Sequence, residues 1–343
     1  MQNVRLQMKQ NNFLISKFFN FYILTAAVLL LLAACKNGTT TTETVYEQQS
    51  PDFNADSAFN YCKAQCDFGP RTMNSTAHDE CGKWIVQKFR QFGCTVTEQK
   101  IDLIGWDGKT LKCNNIIASY KPELTTRVLI CAHWDSRPWA DNDPDSANWN
   151  KPVMAANDGA SGVAVLLELA RIVNDADSLK MGVDFVCFDA EDYGVPQWID
   201  SPNGSDSWAL GAQYWSQNPH KQGYEATYGI LLDMVGGQGS RFYQEGMSVQ
   251  YAPMIVKKIH AAAKVVGFGS FFPDETDGSV TDDHIPVNKY AKIPTADIIA
   301  HYPDCMQSSF GPTWHTVSDD MDHIDRNTLK AVGQTVVQVI FSD

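Results

Sequence analysis

From about residue 57 onward the apolar positions switch between two periods. "DSAFNYCKAQCDFG" and "STAHDECGKWIVQKFRQFG" space them three and four apart and stop at glycine, which predicts amphipathic helices. "TVTEQKIDLIG" alternates, while "CNNIIASY" and "TRVLICAH" are short apolar runs, and all three predict strands. The remainder reads as helix ("SGVAVLLELARIVND"), strand ("GVDFVCFD"), helix ("WALGAQYWSQN"), strand ("TYGILLDMVG"), helix ("APMIVKKIHAAAKVVGFG") and strand ("IPTADIIA"). A closing helix, "DRNTLKAVGQTVVQVIFS", carries Leu329, Val332, Val336 and Ile340 on one face. Apolar strands separated by helices imply an α/β fold, an open and mostly parallel central sheet covered on both faces. With no internal repeat and no second linker, residues 57–343 form one domain.

The preceding residues do not follow this pattern. Arg5, Lys9 and Lys17 lead into "FFNFYILTAAVLLLLAAC", which by charge and length is a secretory signal over residues 1–35, with an uncleaved membrane anchor as the alternative. "LAAC" resembles a bacterial lipobox, which implies lipidation of Cys35. Residues 36–56 are Thr-rich and poor in core formers, a flexible tether between lipid and domain. Lys36 after the cysteine resembles lipoproteins that leave the inner membrane. The expected location is the bacterial envelope, as a periplasmic or outer-membrane-anchored lipoprotein.

Composition excludes some partners. The 343 residues are 44% apolar and 20% charged, ordinary for a globular protein, with a formal charge of −13. A nucleic-acid partner needs a basic face, so none is expected. Eight cysteines follow Cys35, and no C-x-x-C pair exists, so thiolate zinc binding is not expected. Cys131 and Cys187 lie inside apolar strands and read as buried thiols.

In open α/β sheets ligands bind beyond the carboxyl ends of the strands. Here each strong strand delivers an acid or histidine at that end: His133 and Asp135, then Glu191 and Asp192, then Asp233, then "TWHT" with His315. "MAANDGASG" adds Asp158 before a Gly-rich turn into a helix, where a helix cap is the alternative use of the carboxylate. "FDAEDYG" packs Asp189, Glu191 and Asp192 into four positions, and carboxylates so close need a positive partner. Nitrogen and oxygen ligands with one open position suit catalytic zinc. Neighbours in an extended chain point to opposite sides, so the end of "VDFVCF" is expected to aim Glu191 and Asp192 apart. The polar loops 136–152 and 195–208 are expected to shape access, and "DNDPD" within the first reads either as a calcium loop or as a solvated acidic face.

"AHWDS", "NDGASG", "DAED", "LLDMVG" and "WHT", in that order and spacing over residues 58–342, resemble the zinc-dependent aminopeptidase and glutaminyl cyclase superfamily. The resemblance implies a mixed central sheet with flanking helices, and zinc held by Asp158, Asp192 and His315, with Glu191 as the acid–base residue. The family usually has Glu where this chain has Asp192. A two-zinc aminopeptidase would recruit His133 and Asp233 for its second ion, with Asp135 beside them. "TDDHIPV" and "SSFGPTWHT" resemble the cyclase branch, which implies one zinc, Asp233 and Asp282 orienting Glu191, and a substrate pocket of Thr281, Phe310, Trp314 and Trp198. The expected activity is conversion of an N-terminal Gln of peptides or proteins to pyroglutamate with release of ammonia. The alternatives are a zinc aminopeptidase and a non-catalytic module of peptidase shape.

Overall fold

The computed structural model describes residues 50–176, 179–201 and 204–342. The signal, Cys35 and most of the tether lie outside the described residues. The elements run α1 Ala55–Cys66, α2 Thr76–Gln91, β1 Thr95–Ile104, β2 Thr110–Tyr120, β3 Arg127–His133, α3 Ala160–Asp175 and β4 Gly182–Phe188. Then come α4 Leu210–Gln217, β5 Gly229–Asp233, α5 Gly246–Tyr251, α6 Pro253–Val265, β6 Thr295–Ile299 and α7 Arg326–Phe341. Every strand and helix expected from the periodicity is present.

The six strands lie in the order β1-β2-β4-β3-β5-β6. β1 pairs antiparallel with β2, and β2 with β4. The β4–β3, β3–β5 and β5–β6 pairs are parallel. The sheet is therefore mixed, with its four central and far strands parallel, as a chain of strand–helix–strand units requires.

Alternation along the buried strands sorts side chains to two faces. Val128, Ile130 and Ala132 join a large core with α1, α2, α3, α6 and α7 residues such as Ile85, Val163, Ile259 and Val336. Leu129 and Cys131 turn the other way, to a smaller core with Ala212 and Trp215 of α4 and with Val287 and Ile293. Each fully buried aliphatic side chain contributes roughly 1.5–3 kcal/mol. Both faces being covered explains why the parallel strands read as unbroken apolar runs. Cys131 and Cys187 are buried free thiols.

Two details depart from the sequence expectation. Phe53, counted with the tether, is fully buried, its ring occupying the space a side chain at Gly333 would take, and its amide donates to Gln334 Oε1 at 2.9 Å. One aromatic residue in a polar stretch is enough to anchor it, and composition averages that signal away. The second is a buried charge within β4. Asp184 faces Arg127 in a fork of 2.6 and 2.7 Å and also accepts the hydroxyls of Ser119 and Tyr224 at 2.5 and 2.7 Å. This group ties β2, β3 and β4 at the edge opposite the site. Asp184→Ala strands the Arg127 guanidinium in the interior. A loss of about 3–5 kcal/mol is expected, read from the urea midpoint, because an uncompensated buried charge costs that much.

Candidate metal centre and pocket

β3 is where the chain order reverses. β4 follows it in sequence and pairs on one side, whereas β5 pairs on the other. In an open α/β sheet this arrangement leaves a crevice at the carboxyl ends of the strands. His133 ends β3, Asp233 ends β5, and the acid pair follows β4.

Asp158 sits at the middle of the group. Its Oδ1 lies 3.0 Å from His133 Nε2 and its Oδ2 3.5 Å from His315 Nε2. The capping alternative does not hold. The helix α3 is capped by Gly159, with no side-chain hydrogen bond, so the Asp158 carboxylate is left for the two imidazoles. Gly159 takes φ 103°, and a side chain there would meet the Asp135 carbonyl at 2.8 Å and the His133 ring at 3.0 Å. The amides of Asn157 and Asp158 donate to Asp319 at 2.7 and 3.0 Å, a carboxylate that no motif singles out.

Asp192 approaches from β4. Its Oδ1 lies 3.2 Å from His315 Nε2, so one imidazole nitrogen faces two buried carboxylates. Among the described residues, neither Asp192 oxygen has a hydrogen-bond partner, although the residue is 1% exposed. Donor atoms of Asp158, Asp192 and His315 all lie within 4.8 Å of one another. Orphaned carboxylate oxygens, an imidazole nitrogen and the absence of thiolates form a donor set that fits zinc. His133, Asp158 and Asp233 make a second such group sharing Asp158, with His133 Nε2 3.2 Å from Asp233.

The acid pair is not at the end of an extended strand. β4 stops at Phe188, and Ala190 takes φ 54°, so Glu191 and Asp192 lie on a bend. Asp135 makes that bend: its two oxygens accept the amides of Glu191 and Asp192 at 3.0 and 3.1 Å. It is thereby a backbone holder, 3.7 Å from His133 Nδ1. Asp189 turns away altogether. Its carboxylate meets His78 Nε2 at 2.9 Å and accepts the Asn114 amide at 2.6 Å. Of the three clustered acids, Asp189 thus binds His78, Asp192 faces His315 and Glu191 lines a cavity.

A cavity of about 310 Å³ opens onto this group, lined by Asp158, Glu191, Asp233, Thr281, Asp282, Phe310, Trp314 and His315. The aromatic wall also includes Trp208, parallel to the His315 ring at 5.9 Å, while Trp314 stacks on the same imidazole at 3.8 Å. Trp198 does not line it. It is 39% exposed and stacks on Trp149 at 5.9 Å. The bend after the acid pair brings the second tryptophan of the loop back to the pocket, with Gly194 making room: a side chain there would overlap the Trp208 ring at 2.0 Å. The "DNDPD" loop is solvated only in part, at the exposed Pro144 and Asp145. Asp141 and Asp143 are 3% and 6% exposed, the first bound to Arg137 and the second accepting the amides of Asp145 and Val317.

Burial dominates the proton affinities. It raises Glu191 well above the ordinary carboxylate range, opposed by His133 and reinforced by Asp192, Asp282 and Asp283. Burial and Asp158 carry Asp192 up to about 6 despite His315. Asp233 rises to about 7 for the same reason, although His133 works against it. Burial also disfavours charge on Asp158, but His133 and His315 outweigh it and hold that carboxyl below its usual value. The site therefore holds one committed anion among several acids poised to share protons.

A glutaminyl cyclase from Bacteroides thetaiotaomicron, solved with N-acetylhistamine, is 53% identical and superposes with a TM-score of 0.84 over 86% of this chain and 99% of that one. Tannerella forsythia glutaminyl cyclase is 46% identical, TM-score 0.83, over 85% and 100%. Aminopeptidase YwaD of Bacillus subtilis (strain 168) is 26% identical over 79% of this chain, which spans 54% of that relative's length. Residues 115–340 match the profile described as peptidase family M28, and on that match, over more than half its length, the chain belongs to that family.

Proposed function

We propose that this protein is a zinc-dependent glutaminyl-peptide cyclotransferase, converting an N-terminal Gln of peptides or proteins to pyroglutamate. The observation that carries the reading is the cavity itself: a carboxyl of raised proton affinity and a metal-type donor group share about 310 Å³ with an aromatic wall. That is room for one flat, uncharged side chain. The likeness to two solved glutaminyl cyclases over nearly their whole chains supports it.

Asp158, Asp192 and His315 would hold one zinc ion, whose chemistry when bound is Lewis-acid polarisation of a carbonyl. Glu191 takes a proton from the substrate's α-amine as the new C–N bond closes the five-membered ring. It returns a proton to the carboxamide nitrogen as the old C–N bond breaks and ammonia leaves. A positioned group of this kind contributes roughly 10²–10⁴-fold. Asp233 and Asp282 share protons with Glu191 and orient it, and Phe310, Trp314 and Trp208 exclude water. The aminopeptidase reading keeps one observation in its favour, the His133–Asp158–Asp233 group. The same leader and "LAAC" support a lipid on Cys35 and an envelope location, by the outer membrane.

The following outcomes test these assignments. Purified protein should carry about one zinc per chain and cyclise Gln-β-naphthylamide, losing that activity on exhaustive chelation and regaining it with zinc. Hydrolysis of Leu-amide with about two zinc ions would instead establish the aminopeptidase. Glu191→Gln should keep its zinc and lose roughly 10²–10⁴-fold in kcat. Because the base must be ionised and its folded pKa is raised, the wild-type activity should rise with pH through a midpoint above the ordinary 4.5. Asp282→Asn removes a like charge, so that midpoint should move to lower pH. Finally, Cys35→Ser should abolish incorporation of labelled fatty acid into the protein; unchanged labelling would refute lipidation at Cys35, and a membrane pellet without labelling of the wild type would favour the uncleaved anchor.

A further inference from the structure

Beyond the groups lining the cavity, Arg137 stands out by what its guanidinium holds. It is fully buried, and its contacts use all five N–H donors. Nε and one terminal nitrogen grip Asp141 at 2.7 and 2.6 Å. The other terminal nitrogen reaches the carbonyls of Asp192 and Gly194 at 3.0 and 3.2 Å, and the first also meets the Val195 carbonyl at 3.4 Å. Its plane lies 4.5 Å over the Trp208 ring, whose own plane is parallel to His315.

Asp141 carries this grip to the second half of the site. Its Oδ1 lies 3.3 Å from Nδ1 of His315, the nitrogen that faces away from Asp158 and Asp192. The approach is that of an ion pair and not an aligned hydrogen bond, but a negative oxygen on this side favours the tautomer with the proton on Nδ1 and leaves the Nε2 lone pair free for a metal. The Gln197 amide donates to the other oxygen at 3.0 Å, which keeps the carboxylate from turning. His315 needs such a restraint because its backbone sits at φ 53°, a conformation rarely populated by residues other than glycine.

We propose that Arg137, acting through Asp141, is the positioning residue on which metal retention and the aromatic pocket wall jointly depend. It fixes the backbone of Asp192, the tautomer and orientation of His315, and the face of Trp208, while touching neither metal nor substrate. Lysine cannot replace it, because three donors on a flexible stem do not reproduce the planar fork. The proposal rests on the metal site assigned above and not on the cyclase chemistry.

The experiment is zinc affinity by chelator competition, with absorption of the cobalt-substituted protein as a second readout. The proteins are wild type, Arg137→Lys and Asp141→Asn, each with its apo melting temperature. Asp141→Asn preserves shape but can donate to Nδ1, which favours the wrong tautomer. It should weaken zinc binding 10–100-fold and alter the cobalt spectrum, and because it leaves the buried Arg137 charge without its carboxylate the apo protein should also melt below wild type. Arg137→Lys should weaken zinc by at least as much and raise KM as Trp208 loses its support. Zinc affinity within twofold of wild type in both variants, or a lower apo melting temperature with affinity unchanged, would overturn the proposal. A wild-type protein without zinc affinity would overturn the metal site with it. Tight zinc binding without cyclase activity would refute only the cyclase reading and leave this inference standing.

Discussion

Too many carboxylates converge on one edge of this sheet for all of them to stay ionised and unpartnered. Asp135, Asp158, Asp189, Glu191, Asp192, Asp233 and Asp282 are all buried at or near the carboxyl ends of β3, β4 and β5. Three are neutralised locally: Asp189 by His78, Asp135 by two backbone amides, Asp158 by imidazoles. What remains are Glu191, Asp192, Asp233 and Asp282, whose proton affinities are all raised by burial. Such a remainder favours a divalent cation and shared protons, which is the chemistry of a metal-assisted acyl transfer.

Holding those acids in place depends on backbone geometry that ordinary strand termini do not supply. Ala190, Met234 and His315, one beside each arm of the site, adopt φ of 54°, 49° and 53°. Each left-handed residue costs on the order of 1–2 kcal/mol. They persist because the sheet beneath is packed on both faces and because side-chain acceptors such as Asp135 and Asp319 fix the turn amides. The strain lets short turns fold side chains back over the strand ends, where straight continuation would carry them into solvent.

The loops bring a second level of order. Residues 136–152 and 195–208 are polar in composition, yet their contribution is a buried Arg137–Asp141 pair and an indole that stands beside a candidate metal ligand. Trp198 and Trp208 illustrate why such loops resist reading. Both lie within reach of the acid pair along the chain, and choosing between them requires the path of the bend and the space left at Gly194. Asp319 offered no local signal, and Asp141 only that of a calcium loop or a solvated face, since an aspartate in a polar loop is usually solvated.

The sequence by itself determined the order of elements, the two-sided burial of the parallel strands and the sorting of acids and histidines to one end. Those follow from periodicity, which reports burial residue by residue. It also supplied the family motifs, each of which lies within a few consecutive positions. Only the tertiary structure decided which carboxylate meets which partner. It took the Asp158 carboxylate off the helix cap, sent Asp189 to His78, put Trp208 at the cavity and drew Phe53 into the core. These choices depend on distances between segments far apart in the chain. Electrostatic and packing energies change over a few ångströms, a scale that spacing along a polypeptide does not encode.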